Sequence, residues 1–174
     1  YKGSPMEVEA NLFASELLMP TALFRPLASD SEPTLGRIKA LAEIFNTSLT
    51  ATAMKFVDIN NHECILVLSK GKSVAWSKQQ KNRFGLRIEK GMRLHHDSLA
   101  FHVGTPAGEL GPEVVNPEAW ISQNANERQI EVTEQSWALD GYDSVLTLLV
   151  VADVDGATDF DMVRHYERGN RRND

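Results

Sequence analysis

Two carboxylates and an amide stand in the first turns of a predicted helix, in the stretch SPMEVEANLFASELLMP at residues 4–20. Glu7, Ala10 and Asn11 have the spacing i, i+3 and i+4, which places them on one face of a helix. A Glu on a helix can complete the coordination of a zinc ion that two histidines hold. The small residue lets a second helix approach, and the amide can hydrogen-bond a ligand histidine. Glu7 is therefore the candidate metal ligand, Glu9 is the alternative, and Asn11 is the candidate partner of a ligand histidine.

Glu7 also has an interpretation that needs no metal. Ser4 suits an N-cap, Pro5 suits the first helical position, and Glu7 follows Ser4 by three residues, as in a capping box. Most acids at the start of a helix have only this role. Since Glu7 and Glu9 lie within one turn, the sequence does not decide which of them would bind a metal.

Helical periodicity continues through the first third of the chain. Residues 4–20 predict a helix that ends at Pro20, and residues 20–34, with three prolines, predict a connector. LGRIKALAEIF (35–45) and LTATAMKFVDI (49–59) predict two helices, closed by Asn46 and capped by Ser48. Their short connection predicts a helix-turn-helix. The first helix is expected to bury an apolar stripe made of Ala10, Phe13, Ala14, Leu17 and Leu18.

From residue 63 onward the apolar pattern changes to that of strands. It predicts a hairpin at 63–77 and further strands at 86–94, 98–103, 129–139 and 144–153. VLTLLVV in the last of these is apolar at every position, which is typical of a central strand. The long connection at 104–128 is expected to contain a short helix near residues 117–120.

These elements predict an α+β chain, in which an N-terminal helical part is followed by an antiparallel β-sheet domain. We divide it into a first helix (1–20), a helix-turn-helix segment (21–60), a mainly antiparallel sheet domain (61–153) and a charged tail (154–174). The tail is poor in apolar residues, so we expect it to be frayed.

Composition limits the possible functions. The 174 residues carry a net charge of −6, which argues against a dedicated nucleic-acid-binding protein. No apolar run of about 18 residues is present, so we expect no membrane span. Cys64 is the only cysteine, which excludes an intrachain disulfide and favours a cytoplasmic setting. The sequence begins at Tyr1 rather than at Met, and we expect the chain to be a fragment of a longer protein.

The charges are nevertheless segregated, which keeps a DNA-binding hypothesis open. Residues 61–100 carry eight Lys and Arg against three acids. The second helix of the predicted helix-turn-helix offers few groups for DNA, chiefly Thr50 and Lys55, and the following hairpin could act as a wing with Lys70 and Lys72 at its tip. A solvated hairpin whose lysines protect an edge strand is the alternative, and we favour it.

Two further groups of residues could bind ligands. His95, His96 and Asp97, with His102, suggest a metal site, but adjacent residues of a strand point to opposite faces, so we favour an exposed pair without metal. Aromatic residues could line the pocket of a sensor domain, or they could belong to an ordinary core, namely Trp76, Trp120, Trp137, Phe101 and Tyr142. Cys64 lies in an apolar strand and is predicted to be a small core residue.

The stretch EVEANLFASELLMP resembles the segment that follows the HExxH helix in the ImmA/IrrE family of bacterial zinc metallopeptidases. The family pattern is roughly E-x-x-A-(N/D)-x-F-A-x-x-L-L-M-P. This sequence meets it at Glu7, Ala10, Asn11, Phe13, Ala14, Leu17, Leu18, Met19 and Pro20. More loosely, the later segments resemble the helix-turn-helix and the GAF-like C-terminal domain of longer members.

The resemblance implies an intracellular zinc-dependent endopeptidase that relieves repression by cutting a helix-turn-helix transcriptional repressor. It also implies that residues 1–20 close a peptidase domain and that Glu7 completes the zinc coordination. HExxH does not occur in this sequence; the nearest string, His62-Glu63-Cys64-Ile65-Leu66, fails at Leu66. We therefore expect the histidine ligands and the catalytic Glu to precede Tyr1. On that expectation no catalytic residue lies in this chain and it holds no zinc alone, so its own role would be regulatory or substrate-recruiting.

Overall fold

The computed structural model describes residues 4–82, 84, 86–103, 108–121, 130–139 and 143–154. Its helices are α1 (Pro5–Leu18), α2 (Thr21–Ala28), α3 (Leu35–Phe45), α4 (Leu49–Ile59) and α5 (Leu99–His102), with a 3₁₀ helix at Pro117–Ala119. Its strands are β1 (Glu63–Lys70), β2 (Ser73–Gln79), β3 (Glu109–Val115), β4 (Ile130–Leu139) and β5 (Ser144–Asp153). The predicted α+β class, with N-terminal helices before an antiparallel sheet, is confirmed. None of the helices within these ranges is long and apolar enough to cross a membrane.

The five strands form one sheet in the order β2-β1-β5-β4-β3, and every neighbouring pair is antiparallel. The strand that contains VLTLLVV, β5, lies in the middle, as predicted. It pairs with β1 from Glu63↔Val151 to Lys70↔Ser144, and with β4 from Ile130↔Asp153 to Leu139↔Ser144. A strand that is flanked on both sides and covered on both faces needs apolar residues at nearly every position, because neither set of side chains reaches water.

Each face of the sheet has its own apolar core. On one face, Leu66, Leu146 and Leu148 pack against α2, α3 and α4 through Phe24, Ile38, Leu41 and Phe56. On the other face, the alternate residues Ile65, Val67 and Leu149 pack against the segment between β2 and β4, which contributes Leu86, Ile88, Leu94, Ala100 and Trp120. The sheet is therefore the middle layer, and α2–α4 share one core with it.

Local signals set the bounds of α3 and α4 as predicted. Asn46 ends α3 in the left-handed conformation at φ 50°, and Ser48 accepts a hydrogen bond from the Ala51 amide at the start of α4. The predicted hairpin, the strands at 130–139 and 144–153, and the short helix near residues 117–120 are also present. The turn at residues 140–142 and most of the tail at residues 154–174 lie outside the described ranges.

Three predictions about secondary structure are wrong. The connector at 20–34 contains α2, which starts directly after Pro20 and accommodates Pro26 within it. Residues 98–103 contain α5 instead of a strand, because the Ser98 hydroxyl accepts the Phe101 amide and starts a helix. Residues 86–94 form no strand where they are described, and only a single bridge joins Arg93 to Ser73. The connection at 104–128 also contains β3, which was not predicted.

Two adjacent polar residues of β4 form hydrogen bonds to the two layers that cover the sheet, one residue to each layer. Gln135 accepts a hydrogen bond from the Leu35 amide at the start of α3. Glu134 points to the other face, where its carboxylate accepts the Ala100 amide at 2.7 Å and the Trp120 Nε1–H at 2.7 Å. Glu134 is fully buried, so these bonds, together with one from the Ser136 hydroxyl at 2.9 Å, replace the hydrogen bonds that its carboxyl oxygens would make to water.

Gly111 on β3 provides a test of the close approach between β3 and β4. A Cβ at Gly111, where φ is +92°, would lie 2.3 Å from the Glu134 carbonyl oxygen. At Gly71, where φ is +53°, a Cβ would meet no atom within 4 Å. We expect Gly71→Ala to lower the free energy of unfolding by about 1 kcal/mol, and Gly111→Ala to lower it by roughly 2 kcal/mol more. Urea unfolding of the two variants measures this difference, and equal losses would contradict the close approach.

Candidate functional site

The start of α1 has the capping box that the sequence predicts. The Glu7 amide donates to the Ser4 hydroxyl oxygen at 3.3 Å, and the Ser4 amide donates to Oε2 of Glu7 at 3.0 Å. Pro5 occupies the first turn. The Glu7 side chain thus has a structural role, and it remains exposed to solvent.

The helix separates the two candidate metal ligands. Glu7 and Glu9 are two residues apart, so in a helix of 3.6 residues per turn their side chains point about 160° apart around the axis. Asn11, four residues after Glu7, lies on the face of Glu7. All three side chains are exposed. A partner that meets Glu7 and Asn11 together would therefore not meet Glu9.

The apolar stripe predicted for α1 is present, but it is not buried, and this part of the prediction is wrong. None of the α1 residues is buried, and Phe13 and Leu17 are 71% and 68% exposed. Met6 and Leu18 are exposed on the same side of the helix. No element among the described ranges covers this stripe, although its periodicity is that of a packed face. Monomeric proteins rarely leave a contiguous apolar patch of this kind open to water.

The C-terminal end of α1 is fixed to the helical layer. Met19, directly after α1, is buried in the core beneath the helices. The Glu16 carboxylate accepts the Thr21 amide and the Thr21 hydroxyl, each at 2.8 Å, and it pairs with the Lys55 ammonium at 2.9 Å. The Thr21 amide, followed by Lys55 and the Thr21 hydroxyl, lowers the pKa of Glu16 to about 2. This network ties α1 to α2 and α4.

The residues of the DNA-binding hypothesis occupy different environments. Lys55 is only 8% exposed, and its ammonium pairs with Glu16. Thr50 is half-buried at the start of α4. Lys70 and Lys72 are exposed at the turn of the β1–β2 hairpin, where the Lys72 ammonium lies 3.7 Å from the centre of the Phe101 ring. The DNA-binding hypothesis stays a prediction, with only the hairpin lysines in exposed positions.

The tryptophans do not line a common pocket. Trp76 and Trp137 pack on the helical face of the sheet, whereas Trp120 is buried on the opposite face. A pocket of about 550 Å³ instead lies beside α5, with Lys72, Phe101 and His102 among its lining residues. Tyr142 falls outside the described residues. Cys64 is buried in the helical-face core, and burial raises the pKa of its thiol to about 12, so it is a core residue as predicted.

The residues of α1 do not make a zinc site by themselves. A catalytic zinc site uses three protein ligands, and α1 offers one carboxylate on the face of Asn11. Among the residues that the structure describes, a group of three potential ligands occurs at His95, His96 and Asp97, and neither Glu7 nor Glu9 belongs to it.

Comparison with known families identifies the helical part. Residues 1–57 match the family model Peptidase_M78, described as the IrrE N-terminal-like domain. The match covers α1, α2, α3 and most of α4, and it confirms the resemblance of EVEANLFASELLMP. The M78 family proteins are zinc peptidases. A search of curated proteins found no match to the chain.

Removing the Glu16 charge tests how α1 is fixed. Because the pKa of Glu16 is lower in the folded chain, about 2 instead of 4.5, its charge adds stability above pH 4.5 and loses this effect as the pH falls toward 2. We expect wild type to unfold at a higher temperature than Glu16→Gln near pH 7, with the difference shrinking below about pH 4.5.

Glu9→Gln is the control, because it removes an exposed acid of the same helix that does not contact Thr21 or Lys55. Its unfolding temperature should follow that of wild type throughout. A difference between wild type and Glu16→Gln that stayed constant from neutral to acid pH would show that the charge is not what Thr21 and Lys55 stabilise.

Proposed function

We propose that the chain is part of a zinc-dependent metalloendopeptidase of the M78 family, and that Glu7 is one of the zinc ligands. The observation that carries the proposal is the family match over residues 1–57, which includes the E-x-x-A-N pattern at Glu7. The two histidines of an HExxH motif would come from sequence outside residues 1–174. When bound, the zinc ion supplies the Lewis acid that polarises water and the peptide carbonyl.

The exposed stripe of α1 supports this proposal. Glu7 lies on the same side of α1 as Leu17 and Leu18, both of which are exposed. Ala10, one turn after Glu7 on this side, leaves room for another helix to approach. A helix that covered the stripe would exclude water from around Glu7 and would bring its own side chains within reach of the carboxylate.

The position of Asn11 favours Glu7 over Glu9 as the ligand. Asn11 shares the face of Glu7, so an imidazole that met the Glu7 carboxylate would also come within reach of the Asn11 amide. Glu9 points away from this face and has no such neighbour. The role that we assign to Asn11 is to hydrogen-bond a ligand histidine and fix its orientation.

The proposed substrate is a helix-turn-helix transcriptional repressor, and the sheet domain would recruit it or regulate cleavage. This part of the proposal rests on the resemblance of the chain to the ImmA/IrrE family. Because α2–α4 and the sheet share one core, a signal bound by the sheet could reach α1 through the Glu16–Lys55 pair. DNA is a weaker candidate partner, through Lys70 and Lys72.

Metal content of the longer protein, with its upstream sequence included, tests the ligand. We expect Glu7→Gln to lower zinc affinity by about 100-fold or more and to abolish peptidase activity. Removal of a residue that only hydrogen-bonds a metal ligand already lowers the affinity by about 10–100-fold. Glu9→Gln, on the opposite side of α1, should retain both. Atomic absorption after dialysis against a weak chelator measures the zinc. Loss of zinc in Glu9→Gln alone would make Glu9 the ligand, and retention of zinc and activity in both variants would refute the metal role of α1.

Two leucines of similar exposure test whether the apolar stripe of α1 is covered in the longer protein. Leu17, on the stripe, is 68% exposed, and Leu12, on the other side of α1, is 66% exposed. In the chain of residues 1–174, Leu17→Ala and Leu12→Ala should each change the free energy of unfolding by less than about 0.5 kcal/mol. In the longer protein, Leu17→Ala should cost about 2 kcal/mol or more while Leu12→Ala stays near zero. Equal effects in the longer protein would mean that this face of α1 remains uncovered.

A further inference from the structure

The structure brings three metal-ligating side chains together in the turn before α5, away from the α1 site. His95, His96 and Asp97 present two imidazole nitrogens and a carboxylate whose ligand atoms all lie within 4.8 Å of one another. We propose that this turn, called here the HHD turn, binds one divalent transition-metal ion of the zinc type. The inference is independent of the proposed peptidase function, because it uses neither Glu7 nor any residue of α1.

The spacing of the ligand atoms suits one small ion. Nδ1 of His95 lies 3.5 Å from Oδ2 of Asp97, and Nε2 of His96 lies 3.2 Å from Oδ1 of Asp97. Zinc binds nitrogen and oxygen at about 2.0–2.2 Å in a tetrahedron, so neighbouring ligands lie about 3.4 Å apart. Both distances are close to that value, and they involve different oxygens of Asp97, so the carboxylate would bind the ion through both oxygens or rotate to present one. The two rings are tilted by 36° relative to each other, with their centres 4.1 Å apart.

One of the reasons for expecting no metal here does not hold in the structure. It took adjacent side chains to point to opposite faces, as they do in a strand. Residues 95–97 instead lie outside the sheet, in a turn between the Arg93 bridge and α5. A turn can place consecutive side chains on one side, and the short distance between the two imidazole rings shows that this one does.

The backbone of the HHD turn is held from both ends. The Leu94 amide donates to the Lys72 carbonyl at 3.0 Å, before the turn. The His95 carbonyl accepts the Ser98 amide at 3.1 Å and the Ser98 hydroxyl at 3.0 Å, and Ser98 is fully buried. His102 on α5 donates from Nε2 to the His96 carbonyl at 2.6 Å. A backbone fixed in this way has less conformational freedom to lose when an ion binds.

The donor set indicates which ions the turn would take. Imidazole nitrogens favour zinc, copper and nickel, whereas calcium and magnesium prefer sites made of oxygen. With three protein ligands and 44–73% exposed side chains, water would complete the coordination. The ion would also replace the 3.3 Å hydrogen bond that the Asp97 amide gives to Nδ1 of His95. We therefore expect affinity in the micromolar range, weaker than that of a closed structural site.

Metal titration of the chain of residues 1–174 tests the site. After treatment with EDTA, the chain is titrated with zinc chloride at about pH 7.5 in a calorimeter, because imidazole binds metal in its neutral form. Wild type should bind one zinc ion with saturation in the micromolar range. His96→Ala and Asp97→Asn should each weaken binding at least tenfold, and His62→Ala, which removes an exposed histidine elsewhere, should change it less than twofold.

Two additional measurements make the outcome specific. Saturating zinc should raise the unfolding temperature of wild type and of His62→Ala, but not of Asp97→Asn, and circular dichroism checks that each variant is folded. Binding that survives in the His96→Ala Asp97→Asn double variant, or no saturation below millimolar zinc, would overturn the proposal.

Discussion

The arrangement of the described chain depends on two neighbouring polar side chains of β4 that point to opposite faces of the sheet. Gln135 satisfies the Leu35 amide, one of the unpaired donors at the start of α3, and so attaches the helical layer. Glu134 does the same for the opposite layer through Ala100 and Trp120. Each contact sits within an apolar core, where an unmade hydrogen bond costs about 1–3 kcal/mol. The cores supply the bulk of the burial, and these two residues fix where each layer lies on the sheet.

This arrangement separates the part of the chain that is fully packed from the part that is not. The helices α2–α4 lie over β1 and β5 and share their core. Most of the segment that matches the family model therefore packs in one hydrophobic core with the sheet. In contrast, α1 contributes no buried residue and is held only at its end, by Met19 and the Glu16–Lys55 pair. The apolar face of α1 therefore has no function in the described fold. A partner surface that covered this face would account for it, and in this sense the proposed peptidase domain and the geometry of α1 support each other.

The elements that the sequence predicts correctly are those specified by local chemistry. Helices α3 and α4 have N-cap hydroxyls and the left-handed Asn46 at their ends, and β5 is apolar throughout, so neither their bounds nor its central place needed tertiary information. The elements that were predicted wrongly have signals that apolar periodicity does not show. Glu16 accepts the Thr21 amide at the start of α2, and the Ser98 hydroxyl accepts the Phe101 amide at the start of α5, which Glu134 of a strand more than 30 residues later also holds. β3 has few apolar residues, since it lies at the edge of the sheet.

The candidate sites also differ in how much the sequence predicts and how much depends on the backbone conformation. Glu7 is a candidate ligand from its spacing and from the family resemblance, and its capping box does not exclude metal binding, because a carboxylate has about four acceptor positions and the Ser4 amide uses one. The sequence also suggests a metal site at His95, His96 and Asp97, but three consecutive residues converge on one ion only in certain backbone conformations, which spacing does not reveal. The buried hydroxyl of Ser98 donates to the His95 carbonyl and accepts the Phe101 amide. A residue outside the proposed ligand set thus helps to fix the backbone that carries His95, His96 and Asp97.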